Sequence, residues 1–91
     1  MDILAQMAEK IIKEQEVIIG PVAFEQARRV DGLEVADSGS VKISGSAKEV
    51  LKHLVEQYEK LFGSRSMEVC KEAVRSIISK APKDQVPQIL L

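Results

Sequence analysis

Apolar residues fall at helical spacing along most of the chain, and the clearest such stretch is SAKEVLKHLVEQYEKLF, Ser46 to Phe62. Val50, Leu51, Leu54, Val55, Tyr58, Leu61 and Phe62 predict one broad apolar stripe, with Lys52, His53, Glu56, Gln57, Glu59 and Lys60 on the opposite side. Ser46 followed by Glu49 is a capping box, in which the hydroxyl accepts the Glu49 amide and the carboxylate returns to the Ser46 amide. Gly63 ends the run. The other apolar segments are candidates to cover this stripe.

Asp2 to Ile19 repeats the pattern, with Ile3, Leu4, Met7, Ala8, Ile11, Ile12, Ile18 and Ile19 on one side and Asp2 placed as N-cap. Gly20-Pro21 breaks the run, and the fixed φ of Pro21 suits the start of a second helix to about Val30, inward on Ala23, Phe24, Ala27 and Val30. Glu25 and Arg29 are spaced as a favourable pair on its outer face.

At Asp31-Gly32 the period changes from helical to alternating. Leu33 and Val35, then Val41 and Ile43, flank the turn residues Asp37-Ser38-Gly39-Ser40, which predicts a β-hairpin at about 33–44. Two strands are marginal alone, so their apolar face must lie on helices. After Gly63, SRSMEVCKEAVRSIISKA predicts a fourth helix that presents Met67, Cys70, Ala73, Val74, Ile77, Ile78 and Ala81 inward and ends at Pro82.

A shift of 43 positions carries Gly20 onto Gly63, Glu16 onto Glu59 and Glu25 onto Glu68, and the apolar positions follow: Ile11 and Ile12 fall on Leu54 and Val55, Phe24 on Met67, Ala27 on Cys70. This reads as one helix-Gly-helix unit used twice. The expected fold is α+β, mostly α: two helical hairpins, four helices in all, with one two-stranded antiparallel β-hairpin between them. Residues 1–81 form the domain, and residues 82–91 an apolar C-terminal tail.

Composition narrows the function classes. Ninety-one residues bury only about 60 to 65% of the unfolded surface, and aromatics are 3% of the chain, so the core is thin and aliphatic and base- or sugar-stacking platforms are not expected. Thirteen basic against fourteen acidic residues, interspersed, give a net charge of −1 and no field that would draw nucleic acid or acidic lipid. A single cysteine rules out an intrachain disulfide, and MDILAQMAEK has acids where a signal peptide needs a basic start and an apolar run. The expectation is a cytoplasmic chain that does not enter the membrane.

Few residues suggest chemistry. Cys70 lies on an inward stripe with no base spaced beside it and reads as a packing residue. His53, the single histidine, lies on a polar face without the partners of a metal site or a clear phosphotransfer role, and reads as solvated. Ser64, Arg65 and Ser66 begin a helix with free amides, hydroxyls and a guanidinium, the ingredients of an anion site and equally of an ordinary Ser cap. Arg28, Arg29 and Lys42 around the hairpin invite a winged-helix reading with Val22 to Val30 as recognition helix, although the wing carries only one base beside one acid. No nucleotide loop, nucleophile elbow or paired-carboxylate constellation is present, so no enzyme, cofactor or metal is expected.

The segments IIGPVAFEQARRV and LVEQYEKLFGSRSMEVCKEAV resemble small conserved archaeal proteins and terminal modules, some attached to signalling proteins, in which a long helix, a Gly-Pro break and a second helix recur. The resemblance spans residues 6–78, rests on Gly20, Pro21, Ala23 and Gly63, and implies a regulatory or scaffolding setting. Together these readings point to a non-enzymatic module that self-associates as a homodimer through helix faces and the tail, with Val86, Ile89, Leu90 and Leu91 as contact residues, because four of the last six residues are apolar. The alternatives are a nucleic-acid-binding regulator and a small-ligand sensor built between the helical hairpins.

Overall fold

A computed structural model describes residues 2–91. Helices α1 (Ile3–Ile19) and α2 (Val22–Arg28) form the first hairpin, β1 (Leu33–Val35) and β2 (Val41–Ile43) follow, and α3 (Ala47–Phe62) and α4 (Ser64–Val74) form the second. Three short 3-10 turns complete the chain at Ile78–Lys80, Lys83–Gln85 and Gln88–Leu90. The fold is mostly helical with a two-stranded antiparallel hairpin, as the patterning predicts.

The caps lie where the sequence puts them. Asp2 Oδ1 accepts the Leu4 amide at 3.0 Å and Ser46 Oγ accepts the Glu49 amide at 3.3 Å, each satisfying a donor that helix geometry leaves without a partner. At the other ends Gly20 (φ 77°) and Gly63 (φ 85°) take the backbone conformation that a side chain resists, and their amides bond Glu16 O and Glu59 O, both at 2.8 Å. The next bond repeats as well: the Ala23 amide donates to Gly20 O at 3.0 Å and the Ser66 amide to Gly63 O at 3.1 Å. The two helix-Gly-helix turns therefore share these two bonds under the 43-residue shift.

α1 packs on α4, α2 and β2, α3 packs on α4 and α2, and β1 lies on α2. Met7, Ala8, Ile11, Leu51, Leu54, Val55 and Tyr58 are fully buried, so α1 and α3 share the centre. In the hairpin Leu33 pairs with Ile43, Glu34 with Lys42 and Val35 with Val41, with Leu33 and Val41 buried against the helices. A Cβ at Gly32 (φ 84°) would meet Ser44 O at 2.7 Å and Val50 Cγ2 at 2.8 Å, so the entry to β1 needs glycine for space as well as for conformation.

Several details differ from the periodicity reading. α4 ends at Val74, and Ile77 and Ala81 reach the core from the non-helical residues on either side of the 3-10 turn Ile78–Lys80. Arg28, not Arg29, forms the ion pair of this region, with Asp37 in the β-turn at 3.3 Å, and its Nε donates to Val35 O. Segment 82–91 is folded back onto the domain: the turn at Lys83–Gln85 lies on α3 and that at Gln88–Leu90 on α4. Val86 and Leu90 are 3% exposed and Pro87 is fully buried, so residues expected as a contact surface belong to the chain's own core. Ile89 is packed against that core, and Leu91 alone stays well exposed.

Candidate functional site

The end of the molecule at which both glycine turns lie is where the stripe patterns and the packing part company. Ile18, Leu61 and Phe62 share helical spacing with core residues, yet Ile18 is 61% exposed, Leu61 47% and Phe62 39%, and the neighbouring Val17 is 81% exposed. Ile18, Ile19 and Phe62, with Val69 of α4, line a cleft of about 560 Å³ between the two helical hairpins. Gln15 and Ser66 complete its lining, and Arg65 and Glu68 are its two charged residues. The volume falls in the range of small-ligand pockets, and the lining is mainly apolar.

Beside the cleft, the structure holds a polar arrangement that periodicity did not reveal. Gln15, on the buried side of α1 and 1% exposed, donates from Nε2 to Ser66 O at 3.0 Å and to Cys70 Sγ at 3.4 Å. Tyr58 on α3, fully buried, donates its hydroxyl to Ala23 O at 2.6 Å. The 43-residue shift carries Gln15 onto Tyr58 and Ala23 onto Ser66. Each long helix thus reaches across to the equivalent carbonyl on the short helix of the other hairpin, so the two hairpins are locked by exchanged, internally equivalent bonds. Glutamine is the shorter of the two equivalent side chains, and the cleft lies on its side. A further bond, Gln57 Nε2 to Gln26 Oε1 at 2.7 Å, ties α3 to α2.

Burial governs the electrostatics of this cluster. It pushes the Cys70 thiol up to about 11, an effect that the Gln15 hydrogen bond partly offsets. The Tyr58 phenol is raised above its ordinary value by burial and, secondarily, by the neighbouring Cys70. Both groups are neutral at pH 7, and Cys70 has the character of a packing thiol rather than a nucleophile.

The remaining candidates are dispersed. Ser66 is buried, its amide and carbonyl are both engaged, and Gly63, not a serine, stands at the N-cap of α4. The segment Ser64, Arg65, Ser66 is thus not one exposed anion cradle: Arg65 and the buried Ser66 line the cleft, and Ser64 does not. The Arg28 guanidinium is engaged by Val35 O and Asp37, while Arg29 and Lys42 are exposed. α2, the helix a winged-helix reading would place in the groove, is seven residues long and buries Ala23, Gln26 and Ala27. His53 is exposed with Glu49 Oε2 at 3.8 Å. Among the described residues no cluster of His, Cys, Asp and Glu has the makings of a metal site, and no helix is long and apolar enough to cross a membrane. Compared with protein-family models, with curated proteins and with solved structures, the chain matches none.

Proposed function

We propose that this protein is a non-enzymatic interaction module that self-associates through the apolar end formed by Val17, Ile18, Leu61 and Phe62, with the adjoining cleft as part of the contact. The observation that carries the reading is the concentration, on the last turns of α1 and α3, of four of the five exposed large hydrophobic side chains among the described residues. A thin aliphatic core gains from every apolar group it hides, and Ile18, Leu61 and Phe62 have helical spacing suited to burial, so leaving them in water beside exposed Val17 marks an interaction surface. The small-ligand alternative is less well supported: a ligand within the cleft covers Ile18, Ile19 and Phe62 but leaves Val17 and Leu61, which do not line it, in solvent. A second protein surface covers both. The nucleic-acid alternative loses the Arg28 side chain to Asp37 and has only a short, half-buried helix to offer.

Placing charge in the patch tests the reading, with Ile18→Asp and Phe62→Asp at exposed positions and circular dichroism as the check that each variant folds. Sedimentation velocity is expected to show the parent chain as a dimer and each variant as a folded monomer. Identical sedimentation of parent and variants at every concentration contradicts the proposal.

A further inference from the structure

On the basis of that self-association, we infer that the partner on this surface is a second copy in a two-fold, isologous arrangement, with Arg65 of each copy facing Glu68 of the other across the apolar cleft. The cleft has one cation and one anion in its lining, Arg65 and Glu68, one helical turn apart on α4. Both are exposed, and among the described residues neither takes part in an ion pair. A two-fold axis exchanges the members of such a plus-minus pair, so a surface of this kind is complementary to itself and gains two cross-copy pairs at once. A strongly acidic or basic partner would satisfy one charge and oppose the other.

Charge reversal with mixing tests the arrangement. Arg65→Glu alone sets acid against acid at both pairs, and Glu68→Arg alone sets base against base. Each is expected to weaken self-association roughly 10-fold or more, since two rim pairs pass from attraction to repulsion. An equimolar mixture of the two variants restores both pairs and is expected to associate as tightly as the parent, as is the double reversal Arg65→Glu/Glu68→Arg. Circular dichroism checks that each chain is folded, and Arg65→Gln with Glu68→Gln supplies a milder set in which each single change weakens association about 3-fold. Single reversals that associate like the parent, or a mixture that fails to recover, overturn the isologous arrangement while leaving self-association through Phe62 intact. A parent chain that is monomeric and whose cleft amides shift on adding decanoate, a carboxylate with an aliphatic chain, overturns both and makes the occupant a ligand.

Discussion

Tyr58→Phe removes one oxygen from the centre of the molecule, and its cost follows from the bond that oxygen makes. The hydroxyl donates to Ala23 O at 2.6 Å, from a side chain with no solvent exposure, and links α3 to α2 across 35 positions of sequence. In phenylalanine the ring still fills its place, so the transfer free energy of the apolar atoms is retained and the loss is confined to the bond and to a carbonyl left with poorer satisfaction. A buried neutral hydrogen bond contributes about 1 to 1.5 kcal/mol net, and an under-satisfied buried acceptor pushes the cost toward 2 kcal/mol. For a domain of this size that corresponds to a fall in Tm of roughly 6 to 12 °C. Urea denaturation followed at 222 nm is the assay, with the m-value expected unchanged because the surface exposed on unfolding is the same. Gln15→Leu, the equivalent change in the other hairpin, is expected to cost a similar amount by depriving Ser66 O of its cross-hairpin donor. A loss below about 0.5 kcal/mol in both variants would refute the view that the exchanged bonds lock the two hairpins.

Other consequences are open to measurement. Gly32→Ala is expected to destabilise the fold by about 2 to 4 kcal/mol, from positive φ and from the contact with Ser44 O, and a loss under 1 kcal/mol in chemical denaturation would show that this entry to β1 is slack. Removal of residues 82–91 takes Val86, Pro87 and Leu90 out of the core, about 3 to 6 kcal/mol of burial in a domain whose whole stability is about 5 to 14 kcal/mol; a cooperative thermal transition near that of the intact chain would contradict it. Cys70, with its folded pKa at about 11 against an ordinary 9, keeps its proton in the native state where the unfolded chain loses it, so its contribution to stability is fully present below pH 9 and declines as pH rises toward 11. The decline is about 1.4 kcal/mol per pH unit in that window, and Tyr58, also raised, extends it upward; denaturation curves that do not change between pH 8 and 11 would exclude this linkage. By the same burial, iodoacetamide at pH 8 should modify Cys70 at least about 100-fold more slowly in the folded chain than in urea.

Local chemistry made much of this architecture legible. Asp2 and Ser46 cap the helices they precede, Gly20 and Gly63 end the helices they follow, and the alternation around Asp37 to Ser40 gives the β-hairpin with its apolar face on helices. The 43-residue repeat foretold two similar turns. What periodicity did not convey is tertiary. It assigns Ile18, Leu61 and Phe62 to the same stripe as Ile11 and Leu54, because spacing fixes a face of a helix and not how far along that face the core extends. Helical periodicity does not mark Gln15 as buried, since its burial depends on carbonyl and thiol partners 51 and 55 positions away. Apolar spacing through Ile77 and Ile78 with no breaker before Pro82 extended α4 past Val74, where the chain leaves α-helix for 3-10 geometry. The tail has the composition of a contact surface and is used as one, though within its own chain. With Val86 and Leu90 buried, the exposed apolar side chains that remain cluster at the helix ends before Gly20 and Gly63, and the cleft there was anticipated only as a generic site between the hairpins.

The most direct test of self-association is the weight-average molar mass of the intact chain by light scattering across a concentration series from micromolar to millimolar. The proposed module approaches twice its 10.1 kDa chain mass as concentration rises, with a midpoint that Phe62→Asp displaces to higher concentration. A mass that stays at 10.1 kDa throughout the series, for parent and variant alike, would contradict the proposal that the apolar end formed by α1 and α3 pairs with its own copy.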